Sequence, residues 1–222
     1  MAKLYNKIIH SARRKTLAVC VEESGEVIIR APKFVSAAEI ECFAERHQEW
    51  ILKKKNSLEA LKKARTFEAG DCFYYKGQKY LLEFKQDQLK PLVFDNKFMI
   101  AERYRNRCRE LLLKWYQREA EKIISARVKL YAEAFDIKYQ KLKLNNAKRQ
   151  WGSCTSEGNL SFVWRLVMMP TRIIDYVVAH ELAHLNEMNH SPAFWQEVAK
   201  MRPDFKECRN FLKENSRKYY FD

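Results

Sequence analysis

Residues 180–190 hold the groups in this chain best spaced to do chemistry. His180-Glu181-Leu182-Ala183-His184 sets two histidines four residues apart, with a glutamate directly after the first. Four residues advance an α-helix by about 400°, so the two imidazoles share one face, a turn apart, where both can bind one zinc ion. Glu181 is offset by one residue and projects beside that position, where its carboxylate can take a proton from water. A catalytic zinc also needs a third protein ligand and one open position. His190 is the leading third ligand; Glu187 and Glu197 are its rivals. On an unbroken helix His190 would lie about 240° from His184, so the helix must end between them and the chain must bend back. Asn186 and Asn189 tolerate left-handed backbone, and Ser191-Pro192 reads as the N-cap and first residue of the next helix. His10 and His47 lie far upstream without partner patterns and read as surface or packing residues.

Several elements must position this segment. Pro170 and Thr171 start the helix, and Ile173, Ile174, Val177 and Val178 give it an apolar face to bury. Residues 138–144 alternate polar and apolar, which predicts a strand with one buried face. Residues 149–154 and 159–164 predict two more, joined by turn chemistry at Thr155-Ser156-Glu157-Gly158. A long helix is predicted from about Ala101 to Phe135; its Arg103, Arg105, Arg107 and Arg109 spread charge over two solvated faces.

Upstream, residues 4–30 read as a β-hairpin turning at Glu23-Ser24-Gly25 and ended by Ala31-Pro32. Ser36 and Glu39 form a capping box that opens a helix running to about Ala64 through Ile40, Phe43, Trp50 and Ile51. Gly70 and Gly77 punctuate a second β segment, through Tyr80, Leu82 and Phe84 to Val93 and Phe94. No internal repeat or low-complexity tract is apparent. The expected organisation is α+β, with an N-terminal β-rich and helical sub-domain at 1–97 and a second domain at 98–222.

Composition narrows the function classes. Lys plus Arg is 42 and Asp plus Glu is 28, a net charge of 42 − 28 = +14. Such a charge favours anionic partners and solubility and says nothing about fold. The six cysteines, Cys20, Cys42, Cys72, Cys108, Cys154 and Cys208, form no C-x-x-C pair, which argues against a cysteine zinc ribbon or a compact disulfide framework. They read mostly as buried free thiols in a reducing compartment. The first residues, Met1-Ala-Lys-Leu-Tyr-Asn-Lys, lack the apolar stretch of a signal peptide, and no apolar run is long enough to span a bilayer. A cytoplasmic protein with no membrane partner is expected.

Residues 149–195 closely resemble the bacterial YgjP-like metal-dependent hydrolases, a branch of the zincin-like metallopeptidases related to the SprT-like and WLM groups. The matching pieces are Gln150-Trp151-Gly152-Ser153-Cys154, Gly158-Asn159-Leu160 and Trp164-Arg165-Leu166. They continue through Val178-Ala179-His180-Glu181-Leu182-Ala183-His184 to Asn189-His190-Ser191-Pro192 and Phe194-Trp195. The likeness extends more weakly over the whole chain. It implies a zincin-like fold, an active-site helix against a small β-sheet, with His180, His184 and His190 as metal ligands and Glu181 as the base. The H-E-x-x-H-x₅-H spacing equals that of the metzincins, but Glu187 stands where that group has glycine.

The reading is therefore a zinc metallopeptidase with one Zn²⁺ per chain, acting on a peptide or protein. Two other readings compete: a nucleic-acid-associated protease of SprT-like type, and a non-enzymatic binding module with a structural zinc. The basic Lys53-Lys54-Lys55 run and the Lys62, Lys63 and Arg65 cluster favour the former through non-specific nucleic-acid contact. Against the latter, a structural site has no use for Glu181 and closes with a fourth protein ligand. Cys154 as a nucleophile lacks any histidine apart from those at the metal. Gly152 could instead let an extended peptide approach this strand by β-augmentation.

Overall fold

The computed structural model describes residues 3–22, 24–62 and 66–221. Two compact units form, Met1–Ala64 and Arg65–Asp222. This division falls earlier than the break expected near residue 97. Residues 72–101 are a sheet whose Phe73, Leu82, Phe98 and Ile100 are buried in the same core as Leu112, Trp115 and Tyr116 of the long helix that follows. Burial, which chain order does not display, assigns that sheet to the C-terminal unit.

In the first unit, β1 (Lys7–Ser11), β2 (Ala18–Val21) and β3 (Val27–Pro32) make a sheet of order β1-β3-β2. The expected hairpin is β2–β3, and β1 joins parallel to β3 on its far side. The Ser36 hydroxyl accepts the Glu39 N–H, and the Glu39 carboxylate accepts the Ser36 N–H, completing the capping box that opens α1 (Ala37–Arg46). The single long helix expected here is two helices. At His47 the backbone leaves helical geometry, the imidazole Nδ1 lies 2.8 Å from the Phe43 carbonyl, and α2 (Gln48–Lys62) begins afresh. A side chain that competes for the backbone carbonyl ladder is a recognised cause of such breaks. The expected end at Ala64, the turn residue Glu23, and Lys63 and Arg65 lie outside the described residues.

In the second unit, β4 (Cys72–Tyr75), β5 (Gln78–Lys85), β6 (Leu92–Phe94) and β7 (Phe98–Ala101) form a sheet of order β4-β5-β7-β6. A 3₁₀ stretch, Glu102–Arg107, leads into α3 (Cys108–Ala134). The arginines there are engaged internally: Arg105 with Glu102 and Glu68, Arg107 with Glu110, and Arg103 with the Leu89 carbonyl. Then β8 (Lys141–Asn145), β9 (Gly152–Cys154) and β10 (Asn159–Val163) make a sheet of order β8-β10-β9, with β9 antiparallel to β10 at the edge. Gly158 turns between β9 and β10 with φ +79°, which glycine takes without a Cβ penalty. A further 3₁₀ stretch, Trp164–Met168, is fully buried and delivers the chain to α4 (Thr171–Ala183).

The tight turn between β4 and β5 anchors that junction. The Lys76 and Gly77 N–H groups donate to the Val167 and Met168 carbonyls, at 2.8 and 3.0 Å. A Cβ on Gly77 would come within 2.7 Å of Pro170. Two shorter helices, α5 (Pro192–Met201) and α6 (Phe205–Asn215), complete the unit. All six cysteines are free thiols, but only Cys108 and Cys208 are buried. Cys20, Cys42 and Cys72 sit on outward faces, contrary to the expectation that most would be buried. No described helix is long and apolar enough to cross a membrane.

Candidate metal centre

The centre is built from one helix, the turn after it and the start of the next helix. Ile173, Ile174, Val178, Ala179 and Leu182 bury α4 in the main core, and this holds its polar face still. His180 and His184 lie on that face with ring centroids 5.0 Å apart. The helix then tightens: Leu185 and Asn186 donate to Leu182 and Ala183 in i→i−3 fashion. Neither Asn186 nor Asn189 takes a positive φ, so the reversal needs no left-handed residue and uses a 3₁₀-like turn. Ser191 caps α5 as expected, its hydroxyl accepting the Phe194 N–H, with Pro192 in the first turn.

This cap decides where the next side chains go. Phe194, fully buried, touches all three imidazoles, with centroid distances of 4.9 Å to His180, 4.5 Å to His184 and 4.8 Å to His190. His190 comes back over the helix face, its Nε2 3.1 Å from His180 Nε2. One nitrogen from each of the three histidines lies within 4.8 Å of the others, an arrangement that could hold a metal ion. The rival ligands are not part of this group. Glu187 contributes only its carbonyl, 3.1 Å from His184 Nδ1. The Glu197 carboxylate pairs with Lys200 and accepts from Asn186.

The donors fit such an ion. Two imidazole nitrogens on a tetrahedral zinc stand about 3.3 Å apart at the usual ~2.0–2.1 Å bond length, close to the observed 3.1 Å. A proton on His184 Nδ1, donated to the Glu187 carbonyl, leaves the Nε2 lone pair free to ligate. Burial, reinforced by the other two histidines, pushes His180 down to about 3, and burial also lowers His184. Both shifts favour the neutral ring, the form that binds metal.

Glu181 is only 5% exposed and has no charged partner among the described residues, and burial pushes its carboxyl up to about 8. A dication beside it would favour the carboxylate and reverse that shift. The side chain lies directly against β9. A Cβ on Gly152 would fall 2.6 Å from both Glu181 Cγ and Oε1. Glycine at 152 therefore makes room for Glu181 itself, a role that sequence reading missed because the two residues are far apart in the chain. The Cys154 thiol is pushed up to about 11, mainly by burial, which is the opposite of an activated nucleophile. Tyr176 packs edge-on to His180 at 5.9 Å, and Trp195 lies 5.7 Å from His190 and 5.8 Å from His180. Phe194 and Trp195 belonged to a recognisable motif, but their contact with the histidines became visible only in three dimensions.

No curated protein matches the chain. Among solved structures, it is similar to the metallopeptidase zymogen of Pyrococcus abyssi abylysin. The identity is 21%, over 40% of this chain and 93% of that one, with a TM-score of 0.37, a likeness too slight to bear on function or fold. The model of the YgjP-like metallopeptidase domain, in contrast, matches residues 15–215, which take in most of each unit and every residue of the three-histidine centre. By that match the chain belongs to the YgjP-like family and carries its metallopeptidase domain.

Proposed function

We propose that this chain is a zinc-dependent peptidase in which His180, His184 and His190 hold one zinc ion and Glu181 is the general base. The observation that carries this reading is the convergence of three imidazoles with a buried carboxyl directly after the first of them on the same helix. A zinc ion at such a site supplies positive charge that acidifies water and polarises a substrate carbonyl. Glu181 accepts the water proton on a carboxylate oxygen and later delivers it to the leaving amine nitrogen. Gly152 and the core beneath α4 hold that carboxylate in one place, and Phe194 keeps bulk water from the inner side of the histidines. Strand β9 pairs with β10 on one side only, so its outer edge offers backbone groups for an extended peptide lying alongside the helix.

The test separates metal binding from turnover. Wild type should bind about one zinc per chain by elemental analysis and cleave members of a mixed peptide pool, read by mass spectrometry with a chelator control. Glu181→Gln keeps the shape and the metal but cannot accept a proton, so cleavage should fall at least ~10²-fold with zinc content unchanged. His184→Ala and His190→Ala should lose zinc, while Glu187→Ala and Glu197→Ala should keep it. Zinc retained at full occupancy in His184→Ala, or cleavage undiminished in Glu181→Gln, would overturn the assignment.

A further inference from the structure

Arg209 differs in its partners from several other arginines of this unit. Arg105, Arg107, Arg127 and Arg202 each pair with a carboxylate. Among the described residues no carboxylate pairs with Arg209, which is exposed on α6. Its guanidinium carbon lies 4.9 Å from the centroid of the Trp195 ring. Phe205, one helical turn earlier on α6, stacks on the same indole at 5.3 Å and 18°. The residues at i and i+4 of α6 thus both contact Trp195. Trp195 in turn stacks at 28° on His190 and reaches His180. One aromatic ring therefore separates a solvent-facing, carboxylate-free guanidinium from the three histidines.

A guanidinium over an indole loses little further freedom on binding, and its planar fork matches a carboxylate in two-point geometry. We propose that Arg209 is a specificity-determining residue that receives a carboxylate of the substrate, from an acidic side chain or from the chain terminus, beside the three-histidine centre. This rests on the peptidase reading above, in which the substrate is a peptide. Trp195 is then the platform that fixes the distance between that carboxylate and the scissile bond, and Phe205 fixes the platform.

Binding tests this without relying on turnover. Four peptidyl hydroxamates serve as probes of the zinc-loaded full chain by calorimetry: ending in Glu or Gln, each with a free or an amidated C-terminus. Wild type should bind at least one carboxylate-bearing probe about tenfold tighter than the doubly neutral one, the scale of a charge-assisted hydrogen bond. A gap that follows amidation identifies the terminal carboxylate; a gap that follows Glu against Gln identifies the side chain. Arg209→Gln should erase the gap and leave the neutral probe's affinity unchanged, while Arg209→Lys should retain part of it. Since Arg209→Gln could loosen Trp195, thermal melts accompany each variant, and a folded Arg209→Lys with an intermediate gap supports recognition by charge. Equal binding of all four probes by wild type, or a gap that survives in Arg209→Gln, overturns the proposal alone. Failure of every probe to bind the zinc-loaded protein would sink the metal-site reading, and this inference with it.

Discussion

At the scale of single residues, the centre depends on how closely Glu181 is confined. Among the described residues no ion pair holds the side chain; it is held by packing, and it lies against a position without a Cβ. Gly152→Ala should therefore behave as a catalytic lesion although Gly152 carries no chemistry. The new methyl would sit 2.6 Å from Glu181 Oε1, a separation that real Cβ atoms essentially never show, so the carboxylate must move. A misplacement of about 1 Å can cost on the order of 10²-fold in rate. The expected outcome is loss of cleavage approaching that of Glu181→Gln, with zinc content retained, read by peptide assay and elemental analysis on the same sample. Wild-type turnover in Gly152→Ala would show that Glu181 has more room than its packing suggests.

At the scale of elements, the position of α4 relative to α5 and α6 rests on a buried charged corner. Asp175, 5% exposed on α4, accepts from Arg127 of α3 and from Arg202 at the end of α5. Arg202 also donates to Asp204 at the start of α6, at 2.9 and 2.6 Å. Arg202→Gln removes the link common to three helices and leaves Asp175 partly unsatisfied, which should cost about 1–3 kcal/mol in denaturant unfolding. The variant also carries a pH signature. The hydrogen bond from Arg202 holds the Asp204 carboxyl below its ordinary range. A carboxyl depressed in the folded state contributes stability that is fully present above its unfolded pKa near ~3.9 and is lost as pH falls through the lower folded value. Wild type should therefore lose stability from about pH 4 downward, and Arg202→Gln should lose less over the same range. Parallel acid curves for the two proteins would show that Asp204 gains nothing from this contact.

At the scale of the whole molecule, the net charge of +14 is the dominant long-range property. Part of the basic content is spent inside the chain, on Glu102, Glu110, Asp175 and Asp204. The remainder is expected to hold DNA or RNA weakly at low salt, without base preference, and to release it steeply towards physiological salt. Filter binding of random-sequence DNA across a salt series measures this. A flat, binding-free result at low salt would return the charge to a role in solubility.

Much of the centre was legible in the chain because its logic is local. The 3.6-residue period puts His180 and His184 on one face, the apolar spacing of Ile173, Ile174, Val177 and Val178 says which face is buried, and Ser191-Pro192 marks where the next helix begins. These are properties of neighbours within a few residues, so sequence alone determined them, as it did the capping box at Ser36 and Glu39. The helix break at His47 was not legible, since a histidine that bonds its own helix looks in sequence like any surface histidine. Likewise the chain reversal after His184 was expected through left-handed asparagines and is made by right-handed tightening. What only the tertiary structure decided involves residues far apart along the chain: the sheet of 72–101 joining the core of the long helix, Gly152 opening space for Glu181, and Trp195 lying between the histidines and Arg209. No period or spacing encodes those meetings, because each is set by how buried surfaces from distant segments pack against one another.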